Sequence, residues 1–193
     1  KVALSSVVAL FGTYQIAANG IAQSIWSVAA LVSVSLGPVY ITVIGQCMGL
    51  QDTKQATYYF KKLTLITIAM SLIWNVLIFM LTPLIVNAFA ISDKTKELVI
   101  LLVLIHNIFC IFAFPFADPL GKGLRACGDV KFTTIISLVT TIGVRLMLSV
   151  IFQVVLNLGV IGITYAMCFD WTIRGIIFWL RFKSGTWKKF KLI

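Results

Sequence analysis

The chain has 193 residues, of which 60% are hydrophobic and 11% are charged, and its formal net charge is +10. Ordinary soluble domains carry about 25% charged residues. The composition therefore excludes a soluble globular protein and predicts an integral membrane protein, all-α and organised as a single domain.

Apolar runs long enough to cross a bilayer, about 20 residues each, recur along the chain. The run before Gly12 is only about half that length, so we interpret it as the end of a span that begins earlier. Together the runs predict a polytopic bundle, one six-helix lobe with its first helix incomplete. The predicted spans are 1–11 (incomplete), 20–44, 63–84, 98–119, 132–156 and 160–180.

Small residues and prolines mark the second and third predicted spans. Ala29, Ser33 and Gly37 recur every four residues, a spacing that lets a neighbouring helix approach closely. Pro38 predicts a kink in the second span, because proline removes a backbone donor and clashes with the preceding turn. Pro83 predicts the end of the third span.

A polar stripe runs along the fifth predicted span. Thr134, Thr141, Arg145 and Ser149 fall on one helical face. Lipid would penalise such a stripe. It is therefore predicted to face protein or a water-filled cavity.

The basic residues fall almost entirely on one side of the predicted membrane. Two lysines, Lys94 and Lys96, lie on the other side. This asymmetry predicts a multi-pass protein of the inner (plasma) membrane with a cytoplasmic C-terminal tail, residues 181–193, and it argues against a nucleic-acid partner. The eleven basic residues on the first side are Lys54, Lys61, Lys62, Lys122, Arg125, Lys131, Arg181, Lys183, Lys188, Lys189 and Lys191.

Four ionisable side chains lie well inside the predicted spans: His106, Arg145, Asp170 and Arg174. From the helical rise of 1.5 Å per residue, Arg145 lies roughly 20 Å and Asp170 roughly 15 Å from the basic side. Arg174 follows Asp170 by four residues, on the same helical face. An intramembrane ion pair of Asp170 with Arg145 and Arg174 is predicted. Its role is either to fix helix packing or to take part in substrate movement or proton coupling.

Polar side chains at mid-depth are the candidates for a substrate or ion pathway: Gln23, His106, Asn107, Arg145 and Asp170. The unperturbed pKa of histidine, near 6.5, suits reversible protonation. A neutral imidazole hydrogen-bonded inside the bundle is the alternative for His106.

Motifs of soluble enzymes are not found in the sequence, and the one histidine and isolated acids do not form a nucleophile–base–orienter set. No enzymatic activity and no cofactor are expected, apart from H⁺ or Na⁺ as a coupling ion. The four cysteines have scattered spacing that suits neither a disulfide framework nor a metal site. They are interpreted as small core residues.

The segment Gly121–Lys131 is predicted to be a cytoplasmic loop that links two helices rigidly. Gly128 would permit a tight turn there, since glycine adopts positive φ at little cost. Arg125 and Lys131 are expected to contact the membrane surface or the Asp129 carboxylate.

Four segments, in matching order, resemble signatures of bacterial MATE (multidrug and toxic compound extrusion) transporters. The segment 124–132, LRACGDVKF, resembles a loop of the family's C-terminal half. The segments 170–174 (DWTIR) and 181–187 (RFKSGTW) look like the end of its last helix and its exit. Upstream, the segments 12–18 and 45–49 are similar to earlier signatures.

The resemblance implies the C-terminal six-helix lobe of a twelve-helix exporter, whose N-terminal lobe would be a partner beyond these residues. Such transporters exchange cationic or amphipathic compounds for H⁺ or Na⁺ by alternating access. A lipid-linked saccharide flippase or polysaccharide exporter of the same superfamily is the alternative, and a membrane enzyme or a scaffold is a more distant one. Some family members carry acids in this lobe, whereas here Asp118 lies at the membrane boundary.

Overall fold

The computed structural model describes residues 12–190, and every regular element within them is helical. Five of these helical segments are long and apolar enough to cross a membrane. The predicted fold class, an all-α bundle of membrane helices, is confirmed. The incomplete first span predicted at residues 1–11 lies outside the described residues.

The chain crosses the bundle five times between residues 12 and 190. A π-helical turn at Thr140–Val144 joins α7 to α8, and a 3₁₀ turn at Thr186–Lys189 follows α9. The helices are α1 (Thr13–Ala29), α2 (Leu31–Gly49), α3 (Thr53–Asn87), α4 (Asp93–Phe112), α5 (Phe114–Ala117), α6 (Pro119–Ala126), α7 (Val130–Val139), α8 (Arg145–Val154) and α9 (Gly159–Lys183).

Helices α1 and α2 follow one another as a single crossing. Ala30 between them keeps helical backbone angles, its N–H donates to the Trp26 carbonyl, and its own carbonyl accepts from Val34. The helix extends beyond the predicted span 20–44 at both ends, because polar residues end the apolar run before the helix ends. The helix also continues through Pro38.

Helix α3 passes through Pro83 and ends at Asn87, so the prediction that Pro83 ends the span is wrong. Membrane helices tolerate proline where neighbouring helices support the interrupted turn, and Val86 beyond it is buried in the core. At the other end, the Asp52 side chain accepts a hydrogen bond from the Gln55 N–H at 2.9 Å. This cap starts the helix.

The predicted span 98–119 is a broken helix that extends well past its predicted end. Helix α4 ends at Phe112, Pro115 is the second residue of the short helix α5, and Pro119 is the first residue of α6. Each proline lacks the N–H that would continue the ladder, which explains the breaks.

The predicted loop 121–131 is wrong over most of its length, because residues 121–126 belong to α6. The two glycines in α6 suggested a loop, but they serve close packing: a Cβ at Gly121 would lie 2.5 Å from Phe178 Cε2, and one at Gly123 would lie 2.5 Å from Phe60 Cε1. The connection is only three residues long. Gly128 within it has φ +93°, so the predicted tight turn is present.

The buried core forms three clusters that follow one another along the bundle. The first joins the end of α2, the start of α3, α6 and the end of α9, where most basic residues lie, and it includes Tyr40, Phe60, Leu124, Phe178 and Trp187. The second lies at the opposite end and includes Ala22, Val86, Val99, Leu102 and Val160. The third lies between them and includes Ala30, Cys110, Phe114, Cys168 and Trp171.

The small-residue stripe of α1 and α2 faces this core. Ala29, Ser33 and Gly37 are all buried. Ser33 Oγ lies 2.8 Å from Ser71 Oγ on α3, and a Cβ at Gly37 would meet Lys122 of α6 at 2.5 Å. The predicted close approach of neighbouring helices is therefore present.

Candidate functional site

Three charged side chains meet inside the bundle, between α8 and α9. Arg145 Nη2 lies 2.6 Å from Asp170 Oδ2, and Arg174 Nη2 lies 3.2 Å from the same oxygen. The Asp170 side chain is fully buried, while the two arginine side chains are 17% and 16% exposed. The structure thus brings together the three residues of the predicted intramembrane ion pair. We call them the charged triad.

The π-helical turn places Arg145 in the triad. The Arg145 N–H bonds to the Thr140 carbonyl, five residues back, instead of four. This wider turn inserts one residue and shifts the helical register. Thr133 and Thr140 are buried before the shift and Ser149 after it.

The shift corrects the predicted polar stripe. Thr134 is exposed, whereas its neighbour Thr133 is buried. If the helix were regular from the start of the span to Arg145, Thr134 rather than Thr133 would lie on the buried face. Sequence periodicity alone does not register such an insertion.

The triad has more positive than negative charge. Both arginines bind the same oxygen of Asp170, and the other oxygen, Oδ1, has no hydrogen-bond partner among the described residues. Arg145 Nε and Arg174 Nε are likewise without partners there. Burying charge in a low-dielectric interior costs several kcal/mol per ion unless partners offset it. One carboxylate offsets only part of the cost for two guanidinium groups.

A polar cavity of about 240 Å³ adjoins the triad through Arg174, and we call it the basic cavity. Lys122 Nζ lies 2.7 Å from Asp118 Oδ2 across its wall. Arg125 donates to the hydroxyls of Thr133 and Ser137, at 3.2 and 3.4 Å. The lining residues are Ala117, Asp118, Gly121, Lys122, Arg125, Ser137, Arg174 and Phe178.

Sequence reasoning missed this cavity, because its residues come from four helices, α5, α6, α7 and α9. Lys122 and Arg125 were counted only as surface charges of a loop. The spacing of Asp118 and Lys122, four residues apart, was the available signal: it suits a helical ion pair rather than a loop.

Asp129 binds an arginine that the sequence did not indicate. Arg181 Nε and Nη2 donate to the two Asp129 oxygens at 2.7 and 3.2 Å, and the Arg181 guanidinium lies 4.4 Å from the centre of the Phe132 ring. Of the two alternatives predicted for Arg125 and Lys131, the membrane surface or the Asp129 carboxylate, the second is wrong, because Arg181 occupies that carboxylate. Arg181 stands 52 positions away along the chain, so only the folded arrangement of α9 brings it to this turn.

His106 is fully buried in an aromatic environment. Its ring lies 6.1 Å from that of Trp26 and 6.3 Å from that of Trp171, measured between centroids. Neither ring nitrogen has a hydrogen-bond partner among residues 12–190. The structure places His106 against Trp171, the chain neighbour of Asp170, and outside the basic cavity.

Asn107 and Gln23 also lie outside the basic cavity. Asn107 is buried, and its Nδ2 donates to the Asn75 carbonyl at 3.2 Å. This bond ties α4 to α3. Gln23 is half-buried on α1. The structure therefore does not unite all five pathway candidates in one site.

A second cavity, of about 360 Å³, is apolar and rich in aromatic side chains. Phe109, Phe112 and Phe116 line it from α4 and α5, and Trp179 lines it from α9. We call it the aromatic cavity. Its residues recur every three or four positions, a helical periodicity visible in the sequence, but apolar residues at that spacing are common in any membrane helix.

All four cysteines are buried and unbonded, as the interpretation of small core residues required. Outside the membrane-spanning segments, burial raises the pKa of the Cys127 thiol to about 12. The Asp129 carboxylate beside it acts in the same direction.

A bundle of membrane-crossing helices, with a charged triad inside it and a polar cavity beside the triad, is the architecture of a polytopic membrane protein. Residues 1–151 match the MatE family model. The chain therefore belongs to the MatE family of membrane transporters, which confirms the family resemblance of the sequence motifs.

A curated relative shares part of this sequence. The chain is 33% identical over 66 residues to the uncharacterized transporter YisQ of Bacillus subtilis (strain 168). The match covers 34% of this chain and 14% of that protein.

Proposed function

We propose that this chain is the C-terminal lobe of a secondary active exporter, which moves cationic or amphipathic compounds out of the cell in exchange for H⁺ or Na⁺. The complete exporter would pair it with an N-terminal six-helix lobe. The charged triad is the observation that carries the proposal. Charge at this depth is costly and marks ion or substrate pathways in membrane proteins.

The triad suits a route that opens and closes. It joins α8 to α9 by one short ion pair, and α8 begins at a π-helical turn, a feature frequent at functional sites. The same pair could hold the two helices together in one state and release them in another. Membership of a transporter family favours this use of the pair over a purely structural one.

The aromatic cavity supports amphipathic compounds as substrates. Four of the nine residues that line it are aromatic, and its lining has few polar atoms. Apolar parts of a substrate can be buried there, and a cationic group gains about 0.5–2 kcal/mol from each aromatic face that it meets. Attraction through carboxylates would have to come from the other lobe, since Asp118 and Asp170 already have cationic partners.

The alternative function, a flippase for lipid-linked saccharides or a polysaccharide exporter, is favoured by one observation. The triad and the basic cavity together hold four cationic side chains and two carboxylates. A surplus of positive charge suits a phosphorylated carrier lipid better than an organic cation.

The test is dye accumulation in cells that express the complete protein. Expression should lower the steady-state content of a fluorescent amphipathic cation at least severalfold. Arg145→Gln should abolish this effect, whereas Lys54→Gln, an exposed lysine on α3, should leave it unchanged. Dye content that is the same with and without expression would contradict export and favour the flippase.

We also propose that the end of the bundle that holds Arg125, Lys131 and Arg181 faces the cytoplasm. The five crossings place these residues and the end of α9 at the same end, and cytoplasmic loops of membrane proteins are enriched in lysine and arginine.

A further inference from the structure

The basic cavity has a charge imbalance that no group among residues 12–190 neutralises. Three cationic side chains line it, Lys122, Arg125 and Arg174, with the single carboxylate of Asp118. That carboxylate is already paired with Lys122 at 2.7 Å.

The other two cationic groups, the guanidinium groups of Arg125 and Arg174, are only partly neutralised by their partners. Arg125 binds only the hydroxyls of Thr133 and Ser137 and forms no ion pair with a described residue. Arg174 shares one Asp170 oxygen with Arg145. Counting Arg145 as well, the region holds two positive charges in excess. Like charges held close together repel one another, so an anion that enters would stabilise the lobe.

The shape and chemistry of the cavity select the kind of anion. Arginine presents several N–H donors in a planar fork that matches the oxygens of phosphate. The Ser137 hydroxyl adds a further donor. The volume of about 240 Å³ lies below the roughly 300–1,000 Å³ of pockets for drug-sized ligands, so the cavity suits a small group such as phosphate.

We propose that the basic cavity is a binding site for a phosphate group with two negative charges, held by Arg125 and Arg174 with Lys122 at its edge. Its source is either free inorganic phosphate or the phosphomonoester headgroup of an anionic lipid. The site shares Arg174 with the charged triad, but phosphate binding there does not depend on whether the protein exchanges substrates for H⁺ or Na⁺.

The experiment measures the melting temperature of the complete protein, purified in detergent at pH 7.5, as inorganic phosphate is titrated at constant ionic strength with sodium chloride. A ligand that binds the folded state raises the melting temperature in a concentration-dependent way. Phosphate should do so for the wild-type protein, and chloride at equal ionic strength should not.

Variants at Arg125 locate the effect, because this side chain is exposed and its removal should not prevent folding. Arg125→Gln should weaken phosphate binding about tenfold, since it removes charge-assisted hydrogen bonds. Arg125→Lys should lose less. Lys61→Gln removes one charge from an exposed position on α3 outside the cavity and should bind phosphate like the wild type.

A second arm identifies the source of the phosphate group. The protein is reconstituted in phosphatidylcholine nanodiscs with or without phosphatidic acid, in phosphate-free buffer, and phosphate is then added. If phosphatidic acid removes the response to phosphate, the lipid headgroup is the ligand; if the response persists, free phosphate is. The proposal is overturned if phosphate does not stabilise the wild-type protein, or if it stabilises Arg125→Gln equally.

Discussion

Arg145 Nη2 lies 2.6 Å from Asp170 Oδ2, and this contact joins α8 to α9 although the two residues are 25 positions apart in the chain. Arg174 holds the same oxygen from the next turn of α9. The three residues therefore form an asymmetric cluster in which one carboxylate serves two cations, and this asymmetry leads to a prediction about their relative importance.

Asp170→Asn should destabilise the protein more than Arg145→Gln. The aspartate change leaves two guanidinium groups without a carboxylate, whereas the arginine change leaves Asp170 paired with Arg174. Removing one partner from a buried ion pair costs about 3–5 kcal/mol. The measurement is the yield of monodisperse protein in detergent, with its melting temperature.

The exchange variant Arg145→Asp with Asp170→Arg serves as the control, because it keeps both charges while reversing them. It should recover part of the yield that Asp170→Asn loses. If Asp170→Asn and Arg145→Gln cost the same and the exchange variant recovers nothing, the cluster is not held together by charge.

Gly121→Ala should destabilise the protein by about 1–3 kcal/mol, the usual cost of overpacking a core. The added methyl group would lie 2.5 Å from Phe178 Cε2 and 2.9 Å from its Cδ2, so the Phe178 ring must move. Gly45→Ala is the matched control, since a Cβ there meets nothing within 4 Å. A similar effect of the two changes on the melting temperature would show that α6 is not packed as described.

Asp129→Asn should weaken the turn between α6 and α7, because Arg181 would lose its charged partner. Asp129 is 3% exposed, and hydrogen bonds between charged groups contribute about 1.5–3 kcal/mol. Faster proteolysis between Ala126 and Val130 is the expected readout. Asp93→Asn is the control, because it removes an ion pair whose carboxylate is 94% exposed. It should change the free energy of unfolding by less than about 1 kcal/mol. Equal protease resistance of Asp129→Asn and the wild type would contradict the role of this pair.

Cys127 should resist alkylation at pH 8. Because burial raises its pKa to about 12, the thiol stays protonated at that pH, and the thiolate is the reactive form. Lys131→Cys, at an exposed position four residues on, should instead react readily with a maleimide. The comparison of the two rates checks the prediction, and equal labelling in folded protein would contradict it.

The same Lys131→Cys variant tests the orientation in the membrane. A membrane-impermeant maleimide should label it only after intact cells are permeabilised. Labelling from the periplasmic side of intact cells would reverse the proposed topology.

Features set by composition and local periodicity could be predicted from the sequence. The fold class, the close-packing stripe at Ala29, Ser33 and Gly37, and the turn at Gly128 all depend on residues a few positions apart. The meeting of Arg145 and Asp170 could also be anticipated, since adjacent antiparallel helices carry them at matched depths and neither side chain tolerates lipid.

Features set by distant partners or by irregular backbone could not be predicted in this way. The π-helical turn at Thr140–Val144 moves the polar face of its helix by one residue. The glycines of α6 suggest a loop in the sequence, whereas in the folded protein they leave room for the Phe60 and Phe178 side chains. Arg181 reaches Asp129 only because α9 returns to the same end of the bundle.

The basic cavity illustrates the same limit. Its charged residues come from α6, from α9 and from Asp118 between α5 and α6. From the sequence, these charges predict the orientation in the membrane, because orientation depends on how many basic residues lie on each side. These charges line one cavity together because α6 packs against α7 and α9.

The central claim, that the chain is one lobe of a secondary active exporter, is tested most directly by transport in proteoliposomes. The complete protein is reconstituted, and uptake of a fluorescent amphipathic cation is followed under an imposed H⁺ gradient and, separately, an imposed Na⁺ gradient. One of these gradients should drive the dye above its equilibrium concentration, and a matching ionophore should abolish the effect. Dye movement that is the same with either gradient, with neither, or in protein-free liposomes would contradict the claim.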